Sequence, residues 1–169
     1  VHGKYVIAVG YGVACHSTDG GKTFTKQTFK DSQGKIITLK GVSIATVEGK
    51  PTALAVGTGY GAAHFLYRSV DGGKTWKPLT TLAATPKYDL RKVHMRSSGE
   101  VFMLSRHVLH RSSDAGGSWK PKAITAGHTS LEALAYEAPG RIIITGTSIH
   151  GSWRRVWLSL DDGKSFDEL

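Results

Sequence analysis

The sequence predicts an all-β protein built from repeated blades of four antiparallel strands. Three observations carry this prediction. One eight-residue pattern recurs four times at a nearly even spacing. Short apolar runs set off by turn residues fill the intervals, and no segment sustains a helical period. Glycine is abundant, at 21 of 169 residues, and is spread along the whole chain, as many tight turns require.

The four copies are Ser17-Thr18-Asp19-Gly20-Gly21-Lys22-Thr23-Phe24, Ser69-Val70-Asp71-Gly72-Gly73-Lys74-Thr75-Trp76, Ser112-Ser113-Asp114-Ala115-Gly116-Gly117-Ser118-Trp119 and Ser159-Leu160-Asp161-Asp162-Gly163-Lys164-Ser165-Phe166. Their common form is Ser-x-Asp-x-Gly-x-Ser/Thr-aromatic. Successive serines are 52, 43 and 47 residues apart. That period fits a four-stranded propeller blade of roughly 40–50 residues. Each part of the pattern has a physical role in a hairpin turn. The Asp accepts hydrogen bonds from nearby backbone N–H groups. The Gly two residues later adopts positive φ. The aromatic anchors the turn in the apolar layer between blades. Trp76 and Trp119 are therefore expected to be largely buried, and Phe24 and Phe166 less so, because they belong to the terminal blades.

The strands follow in order. A short strand runs into each repeat at Val13–Ser17, Phe65–Ser69, Val108–Ser112 and Arg155–Ser159. Before it lies an apolar strand at Tyr5–Gly10, Ala53–Gly57, Val101–Ser105 and Arg141–Thr145. Inner strands are expected at Ile36–Val47, Leu90–Arg96 and Leu131–Tyr136. Closing strands are expected at Thr23–Thr28, Thr75–Pro78, Ser118–Lys122 and Ser165–Leu169. The turns Glu48-Gly49-Lys50, Ser98-Gly99-Glu100 and Ala138-Pro139-Gly140 separate the first two strands of the later blades. One domain results, with blades at about 1–30, 31–79, 80–123 and 124–169. The first blade is expected to lack its inner strand. Further blades, a distorted blade or a second copy would then complete a ring.

These repeats resemble the Asp-box, or BNR repeat, of sialidases, other glycosidases, sortilin-type receptors and propeller-type photosystem assembly factors. The resemblance implies a β-propeller. It does not select a function, because the box recurs across unrelated activities. It makes Asp19, Asp71, Asp114 and Asp161 structural. Proteins with such boxes are often extracytoplasmic, and a single cysteine (Cys15) is compatible with that compartment.

Composition excludes several classes. One cysteine allows no intrachain disulfide and no cysteine-based zinc cage. No apolar run approaches the roughly 20 residues that span a bilayer. Asparagine is absent, so no N-glycosylation sequon exists. The net charge is +9. The excess is diffuse: seven cations face three carboxylates in residues 1–50 and again in 51–100, and eight face seven in 101–169. No basic arm or nucleic-acid-binding motif appears, which argues against a nucleic-acid partner. Val1-His2-Gly3-Lys4 is neither an initiator methionine nor a signal-peptide start. Phe166-Asp167-Glu168-Leu169 resembles a retrieval signal but reads as box aromatic plus closing strand.

Other motifs fail on spacing. Gly21-Lys22-Thr23 and Gly73-Lys74-Thr75 would need glycine at positions held by His16 and Arg68 to form a phosphate loop. Gly57-Thr58-Gly59-Tyr60-Gly61 lacks the dinucleotide-binding spacing and reads as a blade loop. His107 and His110 are expected on opposite faces of one strand, so no metal site is assigned and no cofactor is expected. Glycoside hydrolysis needs placed carboxylates. Outside the boxes, only Asp31, Asp89 and Glu132 are expected to reach a channel mouth. The family's sialidases carry an Arg-Ile-Pro segment and three substrate-binding arginines. Here Arg141-Ile142-Ile143 is the nearest match, and Arg91, Arg106 and Arg154 define no triad.

A surface remains. Loops between second and third strands, and between blades, open on the face opposite the boxes. They place Tyr11, Tyr60, His64, Arg106, His107, His150, Trp153 and Arg154 there as candidate ligand-binding residues. Lys30, Asp31, Lys87, Tyr88 and His128 adjoin them. Aromatic faces and guanidinium groups suit an anionic or sugar-like partner. Three readings compete: a non-catalytic module binding a protein or glycan, part of a sialidase-like glycoside hydrolase, and a scaffold completing a larger ring.

Overall fold

The computed structural model describes residues 1–58, 64–80, 89–124, 129–137, 140–148 and 153–169, with no account of the His64 and Thr129 side chains. Those residues form four antiparallel sheets and no helix. The first sheet has three strands, β1 (Val6–Gly10), β2 (Val13–Ser17) and β3 (Thr25–Thr28). The second has four, β4 (Thr38–Val47), β5 (Lys50–Thr58), β6 (His64–Ser69) and β7 (Lys77–Pro78). The third holds β8 (Lys92–Met95), β9 (Val101–Leu104), β10 (Val108–Ser112) and β11 (Lys120–Ala123). The fourth holds β12 (Thr129–Glu137), β13 (Arg141–Ser148), β14 (Arg154–Ser159) and β15 (Asp167–Glu168). In each sheet the strands pair in chain order, so every blade is a meander. The fold is a β-propeller arc whose first blade has three strands among the described residues.

Register makes the blades superimposable. The box serine lies opposite the same strand position each time: Val6 faces Ser17, Ala53 faces Ser69, Val101 faces Ser112 and Ile142 faces Ser159. Closing strands begin later than the apolar pattern predicts. Thr75 and Ser118, for example, are tied to their box aspartates and join no ladder.

Alternation along each strand gives a blade two apolar faces, one toward the preceding blade and one toward the next. Three cores result. Ala14 of the first blade packs with Ala55, Tyr67 and Trp76 of the second, around Phe29, Ile37 and Leu39. Leu54, Val56 and Leu66 of the second pack with Val101, Met103 and Trp119 of the third. Phe102, Leu104 and Leu109 of the third pack with Ile142, Ile144, Trp157 and Phe166 of the fourth. Burying one such Leu side chain contributes about 1.5–3 kcal/mol. Inner strands meet in series, β1 against β4, β4 against β8 and β8 against β12. No comparable packing joins β12 to β1 among the described residues.

The box aromatics are less buried than expected. Trp76 and Trp119 are half-buried, and so is Phe166. Only Phe24 stands out, at 52% exposed. Each of the other three leans on the core shared with its preceding blade, with one ring edge open at the turn end. Burial follows the presence of that blade, so Phe166 in the fourth blade behaves like the two tryptophans.

Candidate functional site

The boxes lie at one end of the blades, where third strands finish. In all four, the serine hydroxyl donates to the Asp Oδ1, at 2.6 Å from Ser17 and 2.7 Å from Ser69, Ser112 and Ser159. The same serine oxygen accepts the N–H of Gly21, Gly73, Gly116 or Gly163 at 2.9 Å. The Asp then accepts the backbone N–H and the hydroxyl of the Ser/Thr four residues on, as in Ser118 to Asp114 at 2.8 and 2.7 Å. These donors favour the carboxylate form. Hydrogen bonds from Ser112 and Ser118 hold the Asp114 carboxyl down at about 2. Asp19 and Asp161 are lowered by hydrogen bonds from Ser17 and Thr23, and from Ser165 and Ser159. Burial opposes ionisation of Asp71, but the hydrogen bonds from Thr75 and Ser69 outweigh it. A permanently ionised carboxylate with its lone pairs committed serves the turn and offers no proton to a substrate.

The opposite end collects the loops. Tyr11 follows β1 and is 73% exposed; Trp153 precedes β14 and is 76% exposed. Arg106 and Arg154 are also exposed, and His107 is half-buried beside Arg106. These five occupy the ends of second and third strands, which is the face the sequence assigns to them. His64 begins β6 at the same end, and its side chain lies outside the described residues. Tyr60, His150, Lys87, Tyr88 and His128 lie outside them altogether. Lys30 is exposed on the loop after β3.

The three candidate carboxylates reach this end, and each is engaged. Asp31 Oδ1 accepts the N–H groups of Gln33 and Lys35, both at 2.9 Å, and so builds its own turn. Asp89 accepts Lys40 Nζ at 2.6 Å and Arg91 Nε at 3.2 Å. Burial pushes the Asp89 carboxyl up, but the Lys40 ammonium and the Arg91 guanidinium more than offset it and hold it below the usual range. Glu132 Oε1 accepts the Thr147 hydroxyl at 2.8 Å.

Lys40 and Glu132 are placed by irregularities that the apolar pattern did not disclose. The β4–β5 register shifts between Leu39 and Gly41, and the β12–β13 register shifts between Leu131 and Ala133. Such bulges re-aim the extra residue. Close packing stabilises the first: a Cβ at Gly57 would fall 2.1 Å from the Thr38 carbonyl oxygen, and one at Gly41 would fall 2.9 Å from that of Arg91. The second bulge opens a cavity of about 320 Å3 lined by Glu132, Thr145, Thr147, Arg154 and Arg155. Thr147 and Arg155 were not singled out from the sequence, because nothing local marks them.

A second charged cluster sits at the box end between the third and fourth blades. Glu100 is buried and holds Arg96 at 2.5 Å as well as Arg111. Arg96 lies 4.6 Å above the Tyr136 ring, and Tyr136 donates to Asp162 at 3.2 Å. Every charge here has an opposite partner, so the cluster clamps two blades. Among the described residues no group of three or more His, Cys, Asp or Glu side chains is arranged to hold a metal ion. No helix is long and apolar enough to cross a membrane.

A family model for the BNR/Asp-box repeat matches residues 67–78, the end of β6 and the box that follows it. The other three boxes repeat the same hydrogen bonds. The chain carries BNR/Asp-box repeats on a β-propeller fold. No curated protein matches this Asp-box chain in sequence. Among solved structures, it resembles YCF48 bound to a D1 peptide, with a TM-score of 0.54 and 15% identity over 97% of this chain and 78% of that one. It also resembles the GH74 enzyme of Niastella koreensis, with a TM-score of 0.65 and 15% identity over 99% of this chain and 29% of that one. A third is the Hadza microbial sialidase Hz136, with a TM-score of 0.62 and 19% identity over 93% of this chain and 39% of that one. The Asp-box chain therefore spans well under half the length of the two enzymes. At these identities the likeness concerns the fold.

Proposed function

We propose that this Asp-box propeller is a non-catalytic binding module that takes an anionic protein or glycan partner on its loop face. One observation carries the reading. Asp31, Asp89 and Glu132 are engaged in a turn, two ion pairs and a hydroxyl contact, while Tyr11, Trp153, Arg106 and Arg154 project into solvent. Aromatic and arginine anchors suffice for binding, whereas catalysis needs a free, correctly protonated group. The YCF48 structure, a propeller with a bound peptide, supports a protein ligand.

The cavity beside Glu132 favours a second reading, part of a glycoside hydrolase. There the carboxylate and Arg154 line one space. Two experiments separate the readings. Arrays of acidic peptides and sialylated or sulfated glycans are titrated against the chain and against Arg106→Ala, Trp153→Ala and Arg154→Ala. The binding reading expects at least one variant to lose tenfold or more in affinity, about 1.4 kcal/mol. Binding intact in all three would place the ligand elsewhere. Turnover of a fluorogenic glycoside, abolished in Glu132→Gln or Asp89→Asn, would establish the hydrolase reading instead.

A further inference from the structure

Blade faces that are buried inside the arc are open at its two ends. Ile7, Leu54 and Phe102 hold one position of the face that meets the next blade, and they are 8%, 0% and 0% exposed. Ile143 holds that position in the fourth blade and is 38% exposed. Its neighbours Ala133 and Ala135 on β12 are exposed as well. The face that meets the preceding blade shows the converse. Ala55, Met103 and Ile144 are 0% exposed, whereas Ala8 in the first blade is exposed.

The box glycines register the same break. A Cβ on Gly73 would meet Ile7 of the first blade at 2.9 Å, and one on Gly116 would meet Leu79 of the second at 3.1 Å. One on Gly163 would meet Leu109 of the third at 3.4 Å. A Cβ on Gly21 meets only Phe24 and Val6 of its own blade. The chain exposes 9182 Å2 in all. A compact monomer of its mass exposes only about 8,100 Å2.

We propose that the open face of the fourth blade docks on the open face of the first blade of a second copy, and that two copies close reciprocally into one ring. This goes beyond the binding reading and does not rest on it. Three arguments support a second copy. The contact is continuous with an interface that the chain already makes three times, so each open face is half of a proven fit. The charges are complementary: residues 1–30 carry four lysines and one aspartate, while residues 124–169 carry six carboxylates and four cations. Closure is geometrically allowed, because two copies bring eight sheets to a fold that closes with about four to eight blades. The interface is head to tail, and a head-to-tail contact that closes gives a finite ring.

The test is the mass of the full chain in solution, by light scattering across a concentration series. The expected species is a pair, with twice the 18.2 kDa of one chain. Ile143→Glu and Ala8→Glu each place a charge in the contact and are expected to give single chains with an unchanged melting temperature, because both positions are exposed in one copy. Mixing the two variants restores one good interface, between the intact first blade of Ile143→Glu and the intact fourth blade of Ala8→Glu. A pair should reappear. Phe24→Ala probes the same first-blade face should Ala8→Glu fail to fold. A single chain at every concentration would overturn the proposal, as would a pair that survives both charges. A pair lost only in Ile143→Glu would reveal a fourth-blade-to-fourth-blade dimer and overturn it too. An unbounded ladder of masses would overturn ring closure.

Discussion

Ser69 and Asp71 are coupled through one hydroxyl: Ser69 Oγ donates to Asp71 Oδ1 at 2.7 Å and accepts the buried Gly73 N–H at 2.9 Å. One short contact thus links a strand end, a carboxylate and a glycine that touches the neighbouring blade. Asp71→Ala removes the acceptor for Thr75 as well. A lost acceptor of this cap-like kind costs about 0.5–2 kcal/mol. For a chain of this size the melting temperature should fall by roughly 1–8 °C. Ligand binding at the opposite end should survive, and its selective loss at unchanged melting temperature would overturn the structural role of the boxes.

Two box glycines should respond differently to alanine. Gly20 has φ of 78° and open space around an added Cβ. Ala115 already occupies the matching position with φ of 53°. Gly20→Ala should therefore cost no more than about 1–2 kcal/mol, the ordinary left-handed penalty. Gly73 has φ of 93°, and its Cβ would meet Ile7 at 2.9 Å and His16 at 3.1 Å. Overpacking adds to the backbone penalty, so Gly73→Ala should cost about 2–5 kcal/mol. Urea melts of the two variants give the comparison, and equal losses would disprove the role of the blade contact.

Acid should unfold the propeller through its boxes. The box carboxyls are held below their usual value in the folded state. A group with a depressed folded pKa stabilises above its unfolded value and loses that contribution as pH falls through the folded one. For Asp114 the window runs from 3.8 down to about 2. Melting temperature should be flat from pH 6 to about 4.5 and drop below that. Asp114→Asn should begin less stable and show a shallower acid drop. A main transition near pH 6 would implicate histidines instead.

Tryptophan emission offers a check on the loop face. Trp153 is 76% exposed and Trp157 only 4%. Acrylamide should quench a large fraction of the native signal, and Trp153→Phe should remove most of that accessible fraction. Trp157→Phe should leave it in place. If ligand protects the accessible fraction, the loop face is engaged, and protection unchanged in Trp153→Phe would count against the proposed site.

The repeated hairpins were readable from the chain alone because their chemistry is local. Every hydrogen bond of a box spans two to four residues, so serine, aspartate, glycine and hydroxyl spacing encode the turn directly. Period-two alternation likewise located the second and third strands of each blade. The candidate site was only half legible. Strand ends told which residues reach the loop face, but not what holds them. Asp89 looked like a candidate acid until Lys40, 49 residues earlier, was found beside it. Glu132 depended on a bulge that no turn residue announces.

The sequence by itself thus determined the blade repeat, the four box turns and the end of the propeller at which basic and aromatic residues gather. Each follows from interactions between near neighbours or from strand alternation. The tertiary structure alone decided which equivalent residues are covered. Phe24 and Trp76 share one motif position, and Ile143 and Leu54 share one strand position, yet Phe24 and Ile143 are exposed while Trp76 is half-buried and Leu54 is fully buried. Burial is a property of the neighbouring blade, about 45 residues away in a propeller repeat, and a local pattern carries no record of whether that blade is present.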